Sequence, residues 1–438
     1  MVSLRNLFAL CGGALSVFAS PVPSELDSTT DIEFVQARAD GDISFYLDSV
    51  VLRNGRVGEP YKAEVGGLLR GHDENLVDFS VQSVSNGEWV MISPTGTLFG
   101  LPNTRARDVE VTVTASTFQG SSSKLSVTIP LADKRHPLVS QLSVLSYNLW
   151  HGGTMMNDYH AKQVRFLAGS GVDIAVMQET TGGHATRLGD ALGWYSWQGT
   201  ETTVGIISKY PIVENIDETD ATGSVQIELD GRRSRINVWG VHLGFTPYGP
   251  YDFCFDHMSI DRVLERETES KRTPQITDTI SRMGDNLADA DHVPVLLAGD
   301  FNAPSHLDWI DATADEHCGV GDVPWPTSMH PTEAGLVDTY REISPDPATD
   351  PAITWSPIYL TNDNGRPEPL DRIDFIYHKG RGLTALSAEI IVVGHPTPQP
   401  NQADNEWTSD HKAVLAKYAV GRRVSDERVS DVRLELLR

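Results

Sequence analysis

An apolar strand that ends in a carboxylate and a carboxamide constrains this chain more than any other segment. The apolar run at residues 293–298 is followed by Gly299, Asp300, Phe301 and Asn302. Residues two apart on an extended backbone point to the same side, so we expect the side chains of Asp300 and Asn302 to meet at one strand end. A strand that is apolar on both faces is typical of a buried sheet, which is a rigid support for a catalytic group. The segment therefore predicts a functional site at the edge of a buried sheet.

Other apolar segments of the chain also end in, or contain, polar residues that can hold protons or metal ions. These residues are Asn148, Glu179, His242, Asp374 and the consecutive Ser409, Asp410 and His411. Each one alone has an ordinary structural explanation, such as a turn residue, a hydrogen-bonded edge histidine or half of an ion pair. So many positions of the right chemical type in one chain favour a shared site, because neighbouring strands end at the same edge of a sheet.

The composition is that of an acidic globular protein. The chain has 438 residues, of which 39% are hydrophobic and 22% are charged, so it is long enough for two domains with their own cores. Its formal net charge of −25 and its isoelectric point near 4.8 disfavour a broad basic surface that grips polyanions. A phosphate substrate that is bound through a metal ion is compatible with this charge.

Residues 1–20 predict a secretory signal peptide. Arg5 precedes an apolar stretch over residues 7–18, and the small residues Ala19 and Ser20 follow. This pattern is typical of a cleaved signal and is too short to span a bilayer stably, with an N-terminal anchor that stays attached as the alternative. No later segment approaches the length of a transmembrane helix. We therefore expect a secreted, extracellular protein whose mature chain has no transmembrane segment.

The cysteines fit an oxidising compartment. Cys11 lies within the predicted signal peptide, which leaves Cys254 and Cys318 in the mature chain. An even number of cysteines in a secreted protein predicts a disulfide between them, and two buried free thiols are the alternative. The chain has no Asn-x-Ser/Thr acceptor, so N-glycosylation gives no second argument for secretion.

The remainder of the chain divides into regions of different pattern. Residues 40–132 contain short alternating strands separated by turn signals such as Asn54-Gly55, which predict a small β-sandwich. A linker leads into residues 142–420, where apolar strands alternate with helical patterns and predict an α/β catalytic domain. Residues 421–438 form a polar C-terminal tail. Helical spacing predicts four core positions in one of the helices: Ile276, Ile280, Met283 and Leu287.

The order of the polar strand ends resembles that of the endonuclease/exonuclease/phosphatase superfamily, the DNase I-like phosphoesterases. The resemblance covers residues 142–419 and rests on the strand-end positions given above. It implies a four-layer α/β/β/α sandwich of two mixed sheets, with the active site at one end of both sheets. The earlier run at residues 89–102 resembles immunoglobulin-like modules of the cadherin-like type. This second resemblance implies that a small all-β immunoglobulin-like sandwich precedes the catalytic domain.

Phosphate-ester hydrolysis requires charge neutralisation, an activated water and a stabilised leaving oxygen. Glu179, with Asn148 and Asp410, offers the hard oxygen ligands that Mg²⁺ prefers, and Mn²⁺ or Ca²⁺ are the alternatives. Asp300, oriented by Asn302, is suited to position or deprotonate the attacking water, and the resemblance implies that role. One metal ion cannot be told from two at this point.

Two histidines complete the expected catalytic set. Asp374 and His411 resemble a carboxylate–imidazole pair, in which the carboxylate holds the ring and stabilises its cationic form. A cationic His411 would hold a phosphoryl oxygen, and His242 is placed to do the same or to protonate the leaving group. Which histidine is the acid stays open.

Aromatic residues on loops rich in glycine and proline are candidates for substrate binding. Such residues bind ligands or pack the loop itself, and both alternatives stay open. His306 follows the Asp300 strand and is a further candidate. The predicted substrate-binding residues are Tyr248, Tyr251, His306 and Trp355.

These arguments predict a secreted metal-dependent phosphoric ester hydrolase that acts on a small molecule, a lipid headgroup or an extracellular polymer. The abasic-site nucleases of the family are characterised by an Asn-x-Asp pattern at the end of the first strand. In this chain the residue two positions after Asn148 is Trp150 and not aspartate, so the resemblance to those nucleases is weaker. A secreted nuclease that degrades extracellular nucleic acid is the second hypothesis, with nucleic acid as substrate only. The third is a catalytically inactive binding or adhesion protein. No stable protein partner is implied.

Overall fold

The computed structural model describes residues 42–71, 77–104, 106–232, 234–362 and 364–421. The predicted signal peptide and, apart from Gly421, the predicted polar tail lie outside the described residues. Within the described residues, every helix is too short or too polar to cross a bilayer.

An all-β region forms the N-terminal part of the described chain. A five-stranded sheet has the order β2-β10-β9-β6 with β3 beside β10, a three-stranded sheet has the order β4-β8-β7, and β1 pairs with β5. Buried and accessible positions alternate along β9 and β10, as the period-two pattern predicts. The strands are β1 (Ser44–Phe45), β2 (Ser49–Val51), β3 (Gly55–Arg56), β4 (Tyr61–Glu64), β5 (Leu69–Arg70), β6 (Val77–Ser85), β7 (Met91–Ile92), β8 (Thr97–Gly100), β9 (Asp108–Thr117) and β10 (Ser122–Ala132).

The remaining strands form two six-stranded mixed sheets. Their ranges are β11 (Gln141–Asn148), β12 (Ile174–Gln178), β13 (Tyr195–Gln198), β14 (Gly205–Ser208), β15 (Ile212–Glu218), β16 (Thr222–Glu228), β17 (Arg235–His242), β18 (Val295–Asp300), β19 (Val337–Asp338), β20 (Asp374–Lys379), β21 (Leu383–Ile391) and β22 (Ala413–Val420). The first sheet has the order β13-β14-β12-β11-β22-β21, and the second has the order β15-β16-β17-β18-β20-β19.

α-Helices lie between the strands along the chain. They are α1 (Tyr159–Gly169), α2 (His184–Leu192), α3 (Gly249–Cys254), α4 (Ile260–Glu269), α5 (Arg272–Arg282), α6 (Gly284–Ala288), α7 (Pro326–Glu333) and α8 (Thr339–Ile343). The four predicted core positions lie in or beside α5 and α6, where Ile276, Met283 and Leu287 are buried and Ile280 is partly buried.

The layers follow from the alternation of side chains along each strand. One face of both sheets contributes to a shared apolar cluster, which includes Val144, Val176, Val238, Leu296 and Val414. The opposite face of β11 and β12 packs on α1 and α2, and the opposite face of β17 and β18 packs on α5 and α6. The predicted four-layer α/β/β/α sandwich is therefore confirmed.

The N-terminal β region packs on the outer helices of the first sheet. Val111 and Leu125 of the β region belong to the same buried apolar cluster as Val164 of α1 and Leu188 of α2. The close approach requires a glycine at position 67, where a Cβ would lie 2.6 Å from the Ala191 carbonyl oxygen of α2. The two regions thus share one continuous core.

Strand register places three polar residues side by side at one end of the second sheet. His242 of β17 is paired with Asp300 of β18, and Asp300 is paired with Asp374 of β20. Asn148 ends β11 in the first sheet, and Glu179 directly follows β12. The sheet edges therefore bring together groups that are far apart in sequence.

Candidate active site

Asp300 lies at the centre of the polar cluster. Its side chain is buried, and its Oδ2 accepts a hydrogen bond of 3.0 Å from Asn148 Nδ2. The same oxygen is 3.7 Å from His242 Nε2 and 3.7 Å from His411 Nε2. The structure thus brings together four of the predicted residues, drawn from both sheets, around one carboxylate.

Asn302 orients Asp300 through its main chain and not through its carboxamide. Strand β18 ends at Asp300, and Asn302 has a left-handed φ of 51°, so the expectation of an extended backbone over both residues is wrong. The Asn302 backbone N–H donates to Asp300 Oδ1 at 2.8 Å, while its Nδ2 donates to the Leu243 carbonyl at 2.9 Å. Asn302 therefore links the ends of β17 and β18.

Asp374 and His411 form a buried hydrogen-bonded pair, with 2.9 Å between Asp374 Oδ2 and His411 Nδ1. Burial lowers the pKa of His411, but the carboxylates of Asp374 and Asp300 more than offset this and hold the pKa well above its usual range. The His411 main chain is fixed by Trp407 Nε1, which donates to its carbonyl, and by the Ser409 hydroxyl, which accepts from its N–H. The two carboxylates therefore favour the cationic form of the imidazole, and Nε2 faces Asp300.

His242 occupies the accessible side of Asp300. Its Nδ1 is 2.7 Å from the Thr203 hydroxyl, and its side chain is 19% exposed, compared with 5% for His411. Thr203 thus fixes the ring with Nε2 directed to Asp300. Sequence reasoning missed Thr203, because it lies in the loop before β14 and no local pattern connects it to a histidine about forty residues later.

The residues predicted to bind metal meet on the other side of Asp300. Glu179 Oε1 accepts a hydrogen bond of 3.3 Å from Asn148 Nδ2. The pKa of Asp410 is raised to about 7: burial raises it most, the nearby His411 lowers it, and the charges of Glu179 and Asp300 also raise it. The charge of Glu179 therefore acts on the Asp410 carboxyl.

Buried oxygen atoms without partners test whether a cation fits. Oδ1 of Asp410 and Oδ1 of Asp374 are buried and have no hydrogen-bond partner among the described residues. Desolvated carboxylate oxygens are unfavourable unless they are paired or bind a metal ion. Donor atoms of Asp300, Asp374 and His411 also lie within 4.8 Å of one another, a group that sequence reasoning did not consider as metal ligands. The donor set fits a hard divalent cation.

Trp355 lies beside the cluster and shares a carboxylate partner, Glu368, with Tyr251. The Trp355 ring is 4.9 Å from the His411 ring, and its Nε1 donates to Glu368 Oε1 at 2.8 Å. The Tyr251 hydroxyl donates to the same Glu368 oxygen at 2.7 Å, and the Tyr248 hydroxyl donates to Asp371 Oδ2 at 3.1 Å. We call Tyr248, Tyr251 and Trp355 the aromatic wall. Its supporting carboxylates were missed, because nothing in the sequence connects them to the tyrosines.

The predicted disulfide is present and supports the aromatic wall. Cys254 at the end of α3 is bonded to Cys318, with a Cα–Cα distance of 5.2 Å. Helix α3 starts directly after Tyr248 and contains Tyr251. The disulfide thus connects two members of the wall to the loop that contains Cys318.

His306 contacts helix α7. Its backbone N–H and its Nδ1 lie 2.9 and 2.8 Å from the Ser328 hydroxyl of α7, and burial lowers its pKa. Within the described part of the chain, no hydrogen bond or ion pair joins His306 to Asp300 or to its neighbours. The structure therefore does not bring His306 together with the other predicted site residues.

Comparison with known proteins is consistent with this arrangement. The family model described as "Endonuclease/Exonuclease/phosphatase family" matches residues 145–411. The uncharacterized protein F14F9.5 of Caenorhabditis elegans is 30% identical over 289 residues, which are 63% of this chain and 91% of that protein.

Several solved structures are also similar. Truncated Caenorhabditis elegans TDP2 is 16% identical, covers 64% of this chain and 98% of its own, and has a TM-score of 0.41. The human Nocturnin catalytic domain with bound sulfate anion is 14% identical, with coverages of 65% and 97% and a TM-score of 0.43. AP endonuclease LMAP from Leishmania major is 15% identical, with coverages of 64% and 89% and a TM-score of 0.39.

The family match includes every residue of the cluster around Asp300. The chain belongs to the endonuclease/exonuclease/phosphatase family and is an enzyme of its metal-dependent phosphoesterase and nuclease class.

Proposed function

We propose that this enzyme hydrolyses a phosphodiester, or a phosphomonoester, by direct attack of water, and that it acts outside the cell. The observation that carries the proposal is the environment of the Asp300 carboxylate. It accepts hydrogen bonds from Asn148 Nδ2 and from the Asn302 N–H, and it lies between the imidazoles of His242 and His411. This arrangement places a proton acceptor between two imidazole nitrogens within one cluster.

In this proposal Asp300 accepts the proton of the attacking water. Its two hydrogen bonds fix the carboxylate, so it does not have to reorganise when the proton arrives. The His411 imidazolium, held by Asp374, stabilises the charge that develops on the phosphoryl oxygens. His242, on the accessible side, holds a second phosphoryl oxygen or donates the proton that the leaving oxygen requires.

We assign the metal-binding role to Asn148, Glu179 and Asp410. A divalent ion held by these residues would neutralise phosphoryl charge and polarise the ester. Oxygen donors favour Mg²⁺, with Mn²⁺ or Ca²⁺ as alternatives. The unpartnered Oδ1 of Asp410 supports this assignment, since a buried carboxylate oxygen requires a positive partner.

The aromatic wall and the net charge bear on the substrate. Trp355 lies beside His411 and presents an apolar surface next to the reacting phosphate, and we propose that Tyr248 and Tyr251 extend it. A chain with a net charge of −25 repels long polyanions. Both observations favour a small-molecule or lipid-headgroup phosphodiester over duplex DNA. A role for His306 in substrate binding stays a prediction.

Mutation of Asp300 tests the reaction. We expect Asp300→Asn, which keeps the size of the side chain, to lower hydrolysis about 100- to 10,000-fold, as is usual for loss of a general base. The exposed Asp315 offers a matched control, and Asp315→Asn should retain full activity. Substrates are a bis-aryl phosphate, sphingomyelin, phosphoinositides, RNA and plasmid DNA, each with Mg²⁺, Mn²⁺ or Ca²⁺. Full activity of Asp300→Asn would refute the mechanism, and fastest hydrolysis of plasmid DNA would favour the extracellular nuclease.

We also propose that the protein is secreted after removal of residues 1–20, and that residues 40–132 form an immunoglobulin-like module. The apolar segment at residues 7–18 and the Cys254–Cys318 disulfide support secretion. N-terminal sequencing of protein from the medium of cells that express the whole chain tests it. Protein that stays in the cells with residues 1–20 attached would contradict this proposal.

A further inference from the structure

The turn that follows β11 has an unusual backbone. Four consecutive residues have left-handed φ angles: 53° at Trp150, 53° at His151, 71° at Gly152 and 90° at Gly153. Glycine adopts this conformation readily, but tryptophan and histidine do so rarely. Strained residues of this kind persist only where the surroundings hold them, and they are concentrated at functional sites.

The inner side of the turn is bonded to two predicted metal-binding residues. The Trp150 N–H donates to Asn148 Oδ1 at 2.9 Å, and the His151 N–H donates to Glu179 Oε2. The backbone N–H groups of Trp150 and His151 therefore hold the side chains of Asn148 and Glu179. Within this turn, the strained backbone and the predicted metal ligands form one structural unit.

The outer side of the turn is packed against α1 and α2. The Gly152 carbonyl accepts hydrogen bonds from Gln163 Nε2 at 3.2 Å and from Arg187 Nη2 at 3.4 Å. A Cβ at Gly152 would lie 2.2 Å from the His184 ring, and a Cβ at Gly153 would lie 2.2 Å from Gln163 Nε2. The turn is thus held on both sides, and with it the backbone of His151.

This backbone places the His151 imidazole beside the Glu179 carboxylate. His151 Nδ1 is 3.5 Å from Glu179 Oε2, too far for a strong hydrogen bond but close enough for both groups to face one ion. The His151 side chain is 69% exposed, so its nitrogen is accessible. A ring used only for packing would not be held in solvent by a strained backbone next to a carboxylate.

We infer that His151 supplies an imidazole nitrogen to the divalent ion held at Glu179, and that this nitrogen shifts the preference of the site from Mg²⁺ towards Mn²⁺. The inference rests on the proposed metal dependence. Mg²⁺ takes oxygen ligands and keeps several of its waters. Mn²⁺ shares the preference for carboxylate oxygens but, as a first-row transition ion, also accepts an imidazole nitrogen. The oxygen donors of Asn148, Glu179 and Asp410 alone would not give this preference.

Calorimetric titration of the full mature chain with Mn²⁺ and with Mg²⁺ tests the inference. We expect His151→Ala to weaken Mn²⁺ binding at least about 10-fold and to change Mg²⁺ binding less than about 2-fold, since it removes a nitrogen ligand and no oxygen ligand. His292→Ala is the matched control, because His292 is also exposed and pairs with a carboxylate, Asp289, at 2.7 Å. Pulsed electron paramagnetic resonance of bound Mn²⁺ should lose a ¹⁴N coupling in His151→Gln and keep it in His292→Gln.

The outcomes separate the inference from the proposed function. Equal Mn²⁺ binding by the wild type and His151→Ala, with the ¹⁴N coupling unchanged in His151→Gln, would overturn the inference alone. An equal loss of Mn²⁺ and Mg²⁺ binding in His151→Ala would also overturn it, because His151 would then support the site without selecting the ion. Failure of the wild type to bind either ion would overturn the proposed metal dependence as well.

Discussion

Asp371 is the buried carboxylate behind the aromatic wall, and its proton should control stability near neutral pH. Burial raises its pKa to about 7; hydrogen bonds from Trp309 and Tyr248 lower the pKa, and the charges of Asp308 and Glu368 raise it. The hydrogen bonds are 2.8 Å from Trp309 Nε1 and 3.1 Å from the Tyr248 hydroxyl. We expect Asp371→Asn, which cannot ionise, to remove this pH dependence.

The magnitude follows from the difference between the folded and unfolded pKa values. An aspartate with the ordinary pKa of 3.8 in the unfolded chain loses its proton before folded Asp371 does. Between these two pKa values the folded protein binds one more proton than the unfolded chain, so its stability falls as the pH rises. The contribution of Asp371 to stability is complete below pH 3.8 and is lost as the pH rises through 7. Between pH 5 and pH 8 the loss is roughly 2.5 kcal/mol, at about 1.4 kcal/mol per unit of pKa difference.

Urea unfolding of the wild type and Asp371→Asn at pH 5, 6, 7 and 8 measures this loss. The difference in unfolding free energy, wild type minus variant, should fall by roughly 2.5 kcal/mol from pH 5 to pH 8. Asp315→Asn, at an exposed aspartate, should follow the wild type at every pH. A difference between wild type and Asp371→Asn that is constant with pH would refute the argument, since it would mean that Asp371 is ionised throughout.

Three further predictions concern the disulfide, the strained turn and the aromatic wall. Replacing Cys254 and Cys318 by serine should lower the unfolding free energy by about 4 kcal/mol, since the closed loop spans a sequence separation of 64 residues; a denaturant titration measures this. Gly152→Ala should cost about 1–3 kcal/mol in the same assay because of its left-handed φ and the His184 ring, and His184→Ala should recover part of the loss. Trp355→Ala should lower kcat/KM roughly 2- to 10-fold, mainly through KM, as steady-state kinetics would show.

The architecture was predictable because it depends on hydrophobic patterns. Strands β17 and β18 are apolar on both faces, since each separates the inner core from an outer helix layer. Such runs are visible in a sequence, and the polar residue that ends each run identifies the sheet edge. The sequence therefore identifies His242 and Asp300 as strand ends, although it does not reveal that they are paired in parallel strands.

Other features were not predictable, because they depend on contacts between distant loops. The left-handed φ of Asn302 is a backbone property that no period-two pattern reveals. The hydrogen bond between Thr203 and His242, and the support of Tyr251 by Glu368, join loops whose proximity follows only from the packed sheets. The contact between the β region and α2 also joins residues that are far apart in sequence. Apolar residues in a sequence identify a buried face, but they do not identify the element that covers it.

The charge of the cluster limits how many ions it can hold. Three carboxylates, those of Asp300, Asp374 and Asp410, act on the His411 imidazole, and Glu179 acts on Asp410. A phosphate substrate adds further negative charge. One divalent ion at Glu179 and Asp410 offsets part of this excess. Asp300 and Asp374 raise the pKa of His411 and so favour a proton on its imidazole. A second ion at Asp300 and Asp374 would compete with this proton, which already supplies positive charge at the same place. We therefore expect one Mn²⁺ per chain by calorimetry, with His411 in place of a second ion, and a stoichiometry of two would contradict this assignment.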